Sequence, residues 1–150
     1  MGTPVRAYKV NLQDREAIRA AAEDMKEAFG KVDILANVAG MAYFGTEEIF
    51  KNVADLSEEE WDFSIGINLK STFNTTQAFL PGMMERQYGK IINVSSVTGP
   101  LVANPGESPY CAAKAAIVGL TRALALEVGK KNITVNAVAP GWIKTGASTE

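Results

Sequence analysis

Tyr110 and Lys114 are the first residues of this sequence that could do chemistry together. They are four positions apart in a predicted helix, so their side chains lie on the same face. A phenol is a weak acid with a pKa of about 10, and a nearby ammonium group lowers that pKa by favouring the phenolate. The spacing therefore predicts a tyrosine that transfers a proton at neutral pH. Taken alone, the same pattern is also typical of an ordinary pair on a helix surface.

Ser96 is the next candidate, because it follows the apolar segment 90–95, which predicts a buried strand. A hydroxyl at the end of that strand could hydrogen-bond the same oxygen atom as the Tyr110 phenol. Ser95 competes for this role, and the spacing to Tyr110 favours Ser96. Cys111 adjoins the site, where we interpret it as a small packed residue and not as a nucleophile.

Composition excludes several classes of function. The chain has 150 residues, of which 47% are hydrophobic and 21% charged, as expected for one globular domain over residues 1–150. Its net charge of -2 gives no reason to expect nucleic acid or an anionic membrane as a partner. Histidine is absent, which excludes His-based catalysis and His-ligated metal, and we expect no metal site. One cysteine and no long apolar run indicate a soluble, cytoplasmic protein.

Apolar runs alternate with amphipathic segments along the whole sequence. We predict strands over residues 5–10, 32–36, 90–95 and 133–138, and helices over 14–29, 57–80 and 110–128. Ser57 and Glu60 form a capping box at the second helix, Pro81-Gly82 is expected to end it, and 41–56 is predicted as a loop. This alternation predicts an α/β fold, a doubly wound Rossmann-type parallel sheet with helices on both faces.

Short polar or glycine-containing segments follow these elements in a distinctive order. They are Asn37-Val38-Ala39-Gly40, Ile67-Asn68-Leu69, Ile92-Asn93-Val94-Ser95-Ser96, the Tyr110 and Lys114 pair, and Pro140-Gly141. In this order they resemble the short-chain dehydrogenase/reductase family, most closely its 3-oxoacyl-[acyl-carrier-protein] reductase-like members. The similarity covers most of residues 5–146.

The resemblance implies an NAD(P)(H)-dependent oxidoreductase that interconverts a ketone, such as a 3-oxoacyl group, and a secondary alcohol. Tyr110 would exchange a proton with the substrate oxygen, and Ser96 would orient that oxygen. Lys114 would lower the pKa of Tyr110 and bind the nicotinamide ribose, and Asn68 would hold a water that links Lys114 to solvent. Each catalytic residue therefore receives a distinct role.

The resemblance also implies a binding site for NADP or NAD, and the sequence does not distinguish the two. Besides Tyr110 and Lys114, the residues expected to border the cofactor are Asn11, Asn37, Ala39, Gly40, Pro140, Gly141, Ile143 and Thr145. Simpler explanations exist for some of them. Asn68 could be a satisfied buried amide, Gly40 a tight turn, and Pro140-Gly141 a strand stop.

The sequence departs from the family where a glycine-rich phosphate loop is expected. No segment has that pattern, so we expect a truncated or incompletely represented member that carries family strands 3 to 6. Segment 5–10 would then lack its usual neighbours and would have to move beside segment 32–36 or pair with another chain. The alternative is a non-catalytic fragment or oligomerisation module that binds no dinucleotide. A third, weaker option is a pocket for an apolar ligand without chemistry.

An assembly is also implied by the resemblance. The helices 57–80 and 110–128 correspond to those that pair between subunits in the family, and their apolar residues are too many for one narrow stripe. A homotetramer or homodimer is therefore expected.

Overall fold

The structure, a computed structural model, describes residues 4–44, 47–48 and 50–144. The main helices are α1 (Arg15–Phe29), α2 (Glu58–Ile65), α3 (Ser71–Arg86) and α4 (Ser108–Val128). The strands are β1 (Ile34–Asn37), β2 (Tyr43–Phe44), β3 (Glu47–Glu48), β4 (Gly89–Val94) and β5 (Ile133–Val138). A π-helical segment, Gly66–Lys70, joins α2 to α3, and single 3-10 turns cover Val53–Asp55 and Gly129–Lys131.

The central sheet is parallel, with the strand order β1-β4-β5. Ile34 pairs with Lys90, and Gly89 pairs with Ile133. Each crossover passes through a helix, as parallel neighbours require. This architecture confirms a partial Rossmann-type α/β fold.

One face of this sheet carries the apolar core. The core residues come from α3, α4, β4 and β5: Met83, Leu124, Val128, Ile91, Ile133 and Val135. The opposite face, where the sequence also predicts helices, is exposed at Ile34, Ile92 and Val138 in the described part of the chain. The helices described here therefore form one layer against one side of the sheet.

A polar layer continues the packing toward the carboxyl ends of the strands. Asn37 Nδ2 donates to Asn93 Oδ1 at 2.9 Å, and Asn93 Nδ2 donates to Thr121 Oγ1 at 2.9 Å. All three residues are buried, and the two amides and the threonine hydroxyl satisfy one another. This chain of bonds links β1, β4 and α4.

The strand predicted over residues 5–10 is not formed. The segment lies along α1 instead, where the guanidinium of Arg6 bonds the Asp24 carboxylate at 2.7 Å and the Tyr8 hydroxyl donates to the same carboxylate. It does not join the described sheet beside β1. Alternating side chains predicted a strand, but a strand also needs a neighbour with free backbone groups, and α1 offers none.

The helix predicted over residues 57–80 differs from the structure in two ways. It is divided by the π-helical segment, and its second part continues through Pro81 to Arg86. Met83 is fully buried in the core, and Tyr88 N donates to the carbonyl of Met83 at 3.1 Å beyond the left-handed Gln87. Tertiary packing of Met83 therefore outweighs the helix-stopping tendency of Pro81.

The predicted boundaries of α1 and the predicted start of α2 agree closely with the structure. Asp14 caps α1 by accepting from the backbone of Glu16 and Ala17, and Gly30 ends it at a φ of 76°. Ser57 and Glu60 form the predicted capping box of α2. The predicted loop 41–56 contains the short antiparallel pair β2–β3 and the Val53–Asp55 turn. Among the described residues, no helix combines the length and apolar character needed to cross a bilayer.

Candidate active site

The carboxyl ends of β1, β4 and β5 meet at one edge of the sheet, and the segments that follow them border a cleft of about 590 Å³. In open parallel sheets this edge is where ligands bind. The lining consists of Gly40, Met41, Ala42, Ser96, Val97, Thr98, Glu107, Tyr110, Gly141, Trp142 and Ile143. Five of these eleven residues, Gly40, Ser96, Tyr110, Gly141 and Ile143, were predicted from the sequence.

The two serines after β4 occupy different environments. Ser95 is buried, and its hydroxyl donates to the carbonyl of Lys114 at 2.7 Å, so it ties β4 to α4. Ser96 lines the cleft and accepts from Thr98 N at 3.1 Å, and its hydroxyl is close enough to Tyr110 to act on the pKa of the phenol. The hydroxyl available to a ligand is therefore that of Ser96.

Tyr110 stands in the first turn of α4 with its side chain at the cleft. Burial raises the pKa of its phenol above the ordinary 10.0, the polar Ser96 side chain acts on that pKa in the opposite direction, and the negative charge of Glu107 adds to the rise. This direction contradicts the lowering expected from Lys114. Loss of hydration is the largest cause of the shift, and the phenol keeps its proton at neutral pH.

Lys114 lies one helical turn beyond Tyr110, as its spacing predicts. Its Nζ is 5.5 Å from the centroid of the Tyr110 ring and donates to the carbonyl of Val94 at 3.1 Å. The residue is only 3% exposed, and burial lowers the pKa of its ammonium group below the ordinary 10.5. The bond to Val94 fixes the amine between the end of β4 and the Tyr110 ring.

Asn68 is fully buried within the π-helical segment. Its Nδ2 donates to the carbonyls of Met41 at 2.7 Å and Ser64 at 3.0 Å, and its Oδ1 accepts from Met41 N at 3.0 Å. The amide therefore holds both backbone groups of Met41, a residue of the cleft lining. The candidate residue Asn68 thus lies in the π-helical segment, and such segments are frequent at functional sites.

Gly40 is where Asn68 and Lys114 meet. A Cβ atom built on Gly40 would come within 2.7 Å of Asn68 Oδ1 and 2.9 Å of Lys114 Nζ, which is too close for a side chain. Its φ lies outside the left-handed region, so space and not turn geometry requires glycine here. The backbone of Gly40 therefore packs directly against the side-chain ends of Asn68 and Lys114.

Several predicted cofactor residues lie away from this cleft. The Asn37 side chain is buried in the polar layer and accepts from Thr75 Oγ1 at 2.6 Å, so only its backbone remains for a ligand. Ala39 lines a separate cavity that Leu12 also borders.

Asn11 accepts from Gln13 N at 3.0 Å in the turn before α1. The Pro140 carbonyl accepts from Val97 N at 3.1 Å. Thr145 lies outside the described residues.

The sequence alone did not single out Glu107, Trp142 or Met41, which also line the cleft. Glu107 stands three positions before Tyr110, at the start of the same helix, and this spacing was the available signal. Trp142 and Met41 follow predicted residues directly in the sequence, and only the folded chain shows that both face the cleft.

Comparison with known proteins identifies the group to which this arrangement belongs. Residues 1–150 match the short chain dehydrogenase family. The chain belongs to that family. It is 46% identical over 139 residues to oxidoreductase UcpA of Salmonella typhimurium, an overlap of 93% of this chain and 51% of the relative. It is 41% identical over 138 residues to the 3-oxoacyl-[acyl-carrier-protein] reductase FabG of Thermotoga maritima, covering 92% of this chain and 53% of the relative.

A further relative is also a 3-oxoacyl-[acyl-carrier-protein] reductase. The FabG reductase of Haemophilus influenzae is 40% identical over 145 residues, which cover 97% of this chain and 57% of the relative. This short-chain dehydrogenase thus spans about half the length of the curated relatives it matches. The family resemblance expected from the five motifs is confirmed.

Proposed function

We propose that residues 1–150 form one partial catalytic domain of an NAD(P)(H)-dependent oxidoreductase that interconverts a ketone and a secondary alcohol. The observation that carries this proposal is the convergence of Ser96 and Tyr110 on one cleft, with Lys114 fixed behind the phenol ring. A hydroxyl and a phenol that line the same cleft can both reach one substrate oxygen. The oxidoreductase relatives support the same class of reaction.

The residues around Gly40 fit the nicotinamide end of a dinucleotide. The cleft that Gly40 and Tyr110 line leaves room for a planar ring or a ribose close to the amine of Lys114, which can donate to ribose hydroxyls. Gly141 and Ile143 would border the ring from the end of β5, with Thr145 beyond them. Bound there, the cofactor supplies or accepts a hydride. Asn11, Asn37, Ala39 and Pro140 would act through their backbone or at neighbouring positions.

In the direction of ketone reduction, Tyr110 donates its phenolic proton to the carbonyl oxygen. The raised pKa keeps that proton in place until negative charge develops on the oxygen. Ser96 donates a hydrogen bond to the same oxygen and so polarises the carbonyl. Asn68 holds Met41 at the cleft wall and keeps the Lys114 side of the site in position. We further propose that the protein works in the cytoplasm.

A homo-oligomer, either a tetramer or a dimer, completes the proposed function. Four apolar residues of the linked helices, Leu69, Phe73, Ala116 and Leu120, border one shallow groove, and the Phe73 side chain is exposed. We propose that a second copy of this chain occupies this groove, because the family resemblance assigns subunit pairing to the helices predicted over 57–80 and 110–128. The alternative hypothesis is a non-catalytic fragment that keeps this surface and binds no dinucleotide.

Binding and turnover separate the two readings. NADH and NADPH binding to the purified chain is measured first, followed by reduction of simple ketones by wild type and Tyr110→Phe. We expect Tyr110→Phe to bind dinucleotide but to lose about 10²- to 10⁴-fold in turnover, the usual share of a general acid. Tyr88→Phe removes the hydroxyl of an exposed tyrosine before β4 and is the matched control, with wild-type turnover. If neither wild type nor Tyr110→Phe binds dinucleotide, the result would favour the non-catalytic fragment.

A further inference from the structure

Glu107 gives the cleft a charge that the proposed reaction does not use. Of the described residues that line the cleft, it is the one with a net charge at neutral pH. Lys114 is nearby but is 3% exposed and lies behind the Tyr110 ring, outside the lining. A ligand that enters the cleft therefore meets a negative field beside neutral walls.

The carboxylate of Glu107 is held in place. Asn104 Nδ2 donates to its Oε2 at 3.0 Å, and the Glu107 backbone begins α4, with its carbonyl accepting from Cys111 N at 2.8 Å. The side chain is half-buried, so its charge is less screened than that of an exposed glutamate. Its charge acts on the Tyr110 phenol, which places the carboxylate within electrostatic range of the reacting oxygen.

Part of the cleft lining is apolar and aromatic. Trp142 is 82% exposed, and Met41 and Ile143 line the same opening. An indole face attracts organic cations, and a carboxylate in the same cleft adds a counter-charge. An alkylammonium group satisfies both features, while a carboxylate on the ligand satisfies neither.

We propose that Glu107 is a specificity-determining residue that selects ketones that also carry an amino group and rejects ketones that also carry a carboxylate. This inference rests on the proposed function, since it concerns the substrate of the same site. It predicts amino ketones, or the amino alcohols they form, as the substrate class. Glu107 acts on binding, and the proton still comes from Tyr110.

Three aryl ketones of nearly equal shape test the inference. They are 4-(aminomethyl)acetophenone, 4-(hydroxymethyl)acetophenone and 4-acetylbenzoate, which carry a cation, a neutral group and an anion. Dissociation constants for the whole chain are measured by ligand-observed NMR at low and high salt, without dinucleotide. We expect the cation to bind about tenfold more tightly than the anion at low salt, with a smaller ratio at high salt.

Two matched variants decide the cause. Glu107→Gln keeps the size of the side chain and should bring the cation-to-anion ratio close to one. Glu127→Gln removes the same charge from an exposed position at the far end of α4 and should keep the wild-type ratio. The salt dependence of the wild-type ratio provides the same evidence if Glu107→Gln does not fold. A ratio unchanged in folded Glu107→Gln, or tighter binding of the anion by wild type, overturns the inference.

The neutral ketone separates this inference from the function on which it rests. If it binds but is not reduced with NADH or NADPH, the oxidoreductase proposal fails for this chain, while the charge preference is still judged from binding alone. If none of the three ketones binds, the inference on Glu107 is overturned as well.

Discussion

Burial at the cleft controls how Tyr110 and Lys114 ionise. The phenol loses hydration, which raises its pKa, and the ammonium loses hydration, which lowers its own. Both shifts favour the neutral forms. The site as folded is therefore suited to holding a proton on Tyr110, which is what donation to a ketone oxygen requires.

The ionisation of Tyr110 can be observed directly. The ultraviolet difference titration of wild type against Tyr110→Phe should show one phenol that ionises above the ordinary value of 10.0. Above about pH 10 the unfolded chain releases this proton before the folded chain does, so stability falls as pH rises toward the folded pKa. Chemical unfolding at several alkaline pH values should show this loss in wild type and less of it in Tyr110→Phe. A midpoint below the ordinary value would contradict the dominant role of burial.

Gly40 should tolerate no side chain. In Gly40→Ala the new methyl group meets Asn68 Oδ1 and Lys114 Nζ, and Asn68 is held by three hydrogen bonds. We expect a loss of about 1–3 kcal/mol in the free energy of unfolding, measured by denaturant titration. Gly119→Ala is the control, because a Cβ on that exposed helical glycine meets nothing within 4 Å. It should gain roughly 0.5–1 kcal/mol. An equal response of both variants would disprove the crowding at Gly40.

Part of the site could be predicted from the sequence. Helical spacing placed Tyr110 and Lys114 on one face, and the end of a buried strand placed Ser96 beside them. The pKa of Tyr110 could not be predicted in the same way, because it depends on how much water the fold excludes. Glu107 and Trp142 were missed since their importance comes from facing a cleft whose walls are far apart in the sequence.

Among the secondary-structure elements, α3 shows most clearly where packing outweighs local preference. Pro81 predicts a helix end, yet the helix continues because Met83, two residues later, is completely buried. The capping box of α2 was predicted correctly, since Ser57 and Glu60 act through neighbouring backbone groups. The strand predicted over residues 5–10 was wrong, because a strand needs a pairing partner that is remote in the sequence. Local interactions are visible in sequence, and long-range ones are not.

Met83 and Met84 provide a matched test of this explanation. Met83→Ala removes a fully buried side chain from the core and should cost about 2–5 kcal/mol. Met84→Ala removes the same atoms from a side chain that is 36% exposed and should change stability by no more than about 0.5 kcal/mol. Denaturant unfolding of both variants measures the difference. Similar losses in the two would show that α3 is not fixed by the burial of Met83.

For the whole molecule, the exposed apolar groove on α3 and α4 predicts association. Phe73 is 43% exposed, and Phe73→Asp places a charge where the proposed second copy packs. Sedimentation velocity should show an oligomer for wild type and a shift toward monomer for Phe73→Asp. Val53→Asp puts the same charge on a residue that is 71% exposed in the Val53–Asp55 turn, away from this groove, and should assemble like wild type. Equal masses for wild type and Phe73→Asp would exclude this groove as the interface.

The central position of β4 also bears on how the chain reaches its folded state. In the parallel sheet of the described residues, β1 and β5 each bond only to β4, and α2 and α3 must be traversed between β1 and β4. During synthesis, β1 leaves the ribosome long before its neighbour and waits with its backbone groups hydrated. Helices can form early from nearby contacts, while the sheet must bring remote segments together, a step associated with slow folding. We therefore expect refolding in which helical signal precedes the protection of β1 amides from hydrogen exchange, with β4 as the strand on which both neighbours depend.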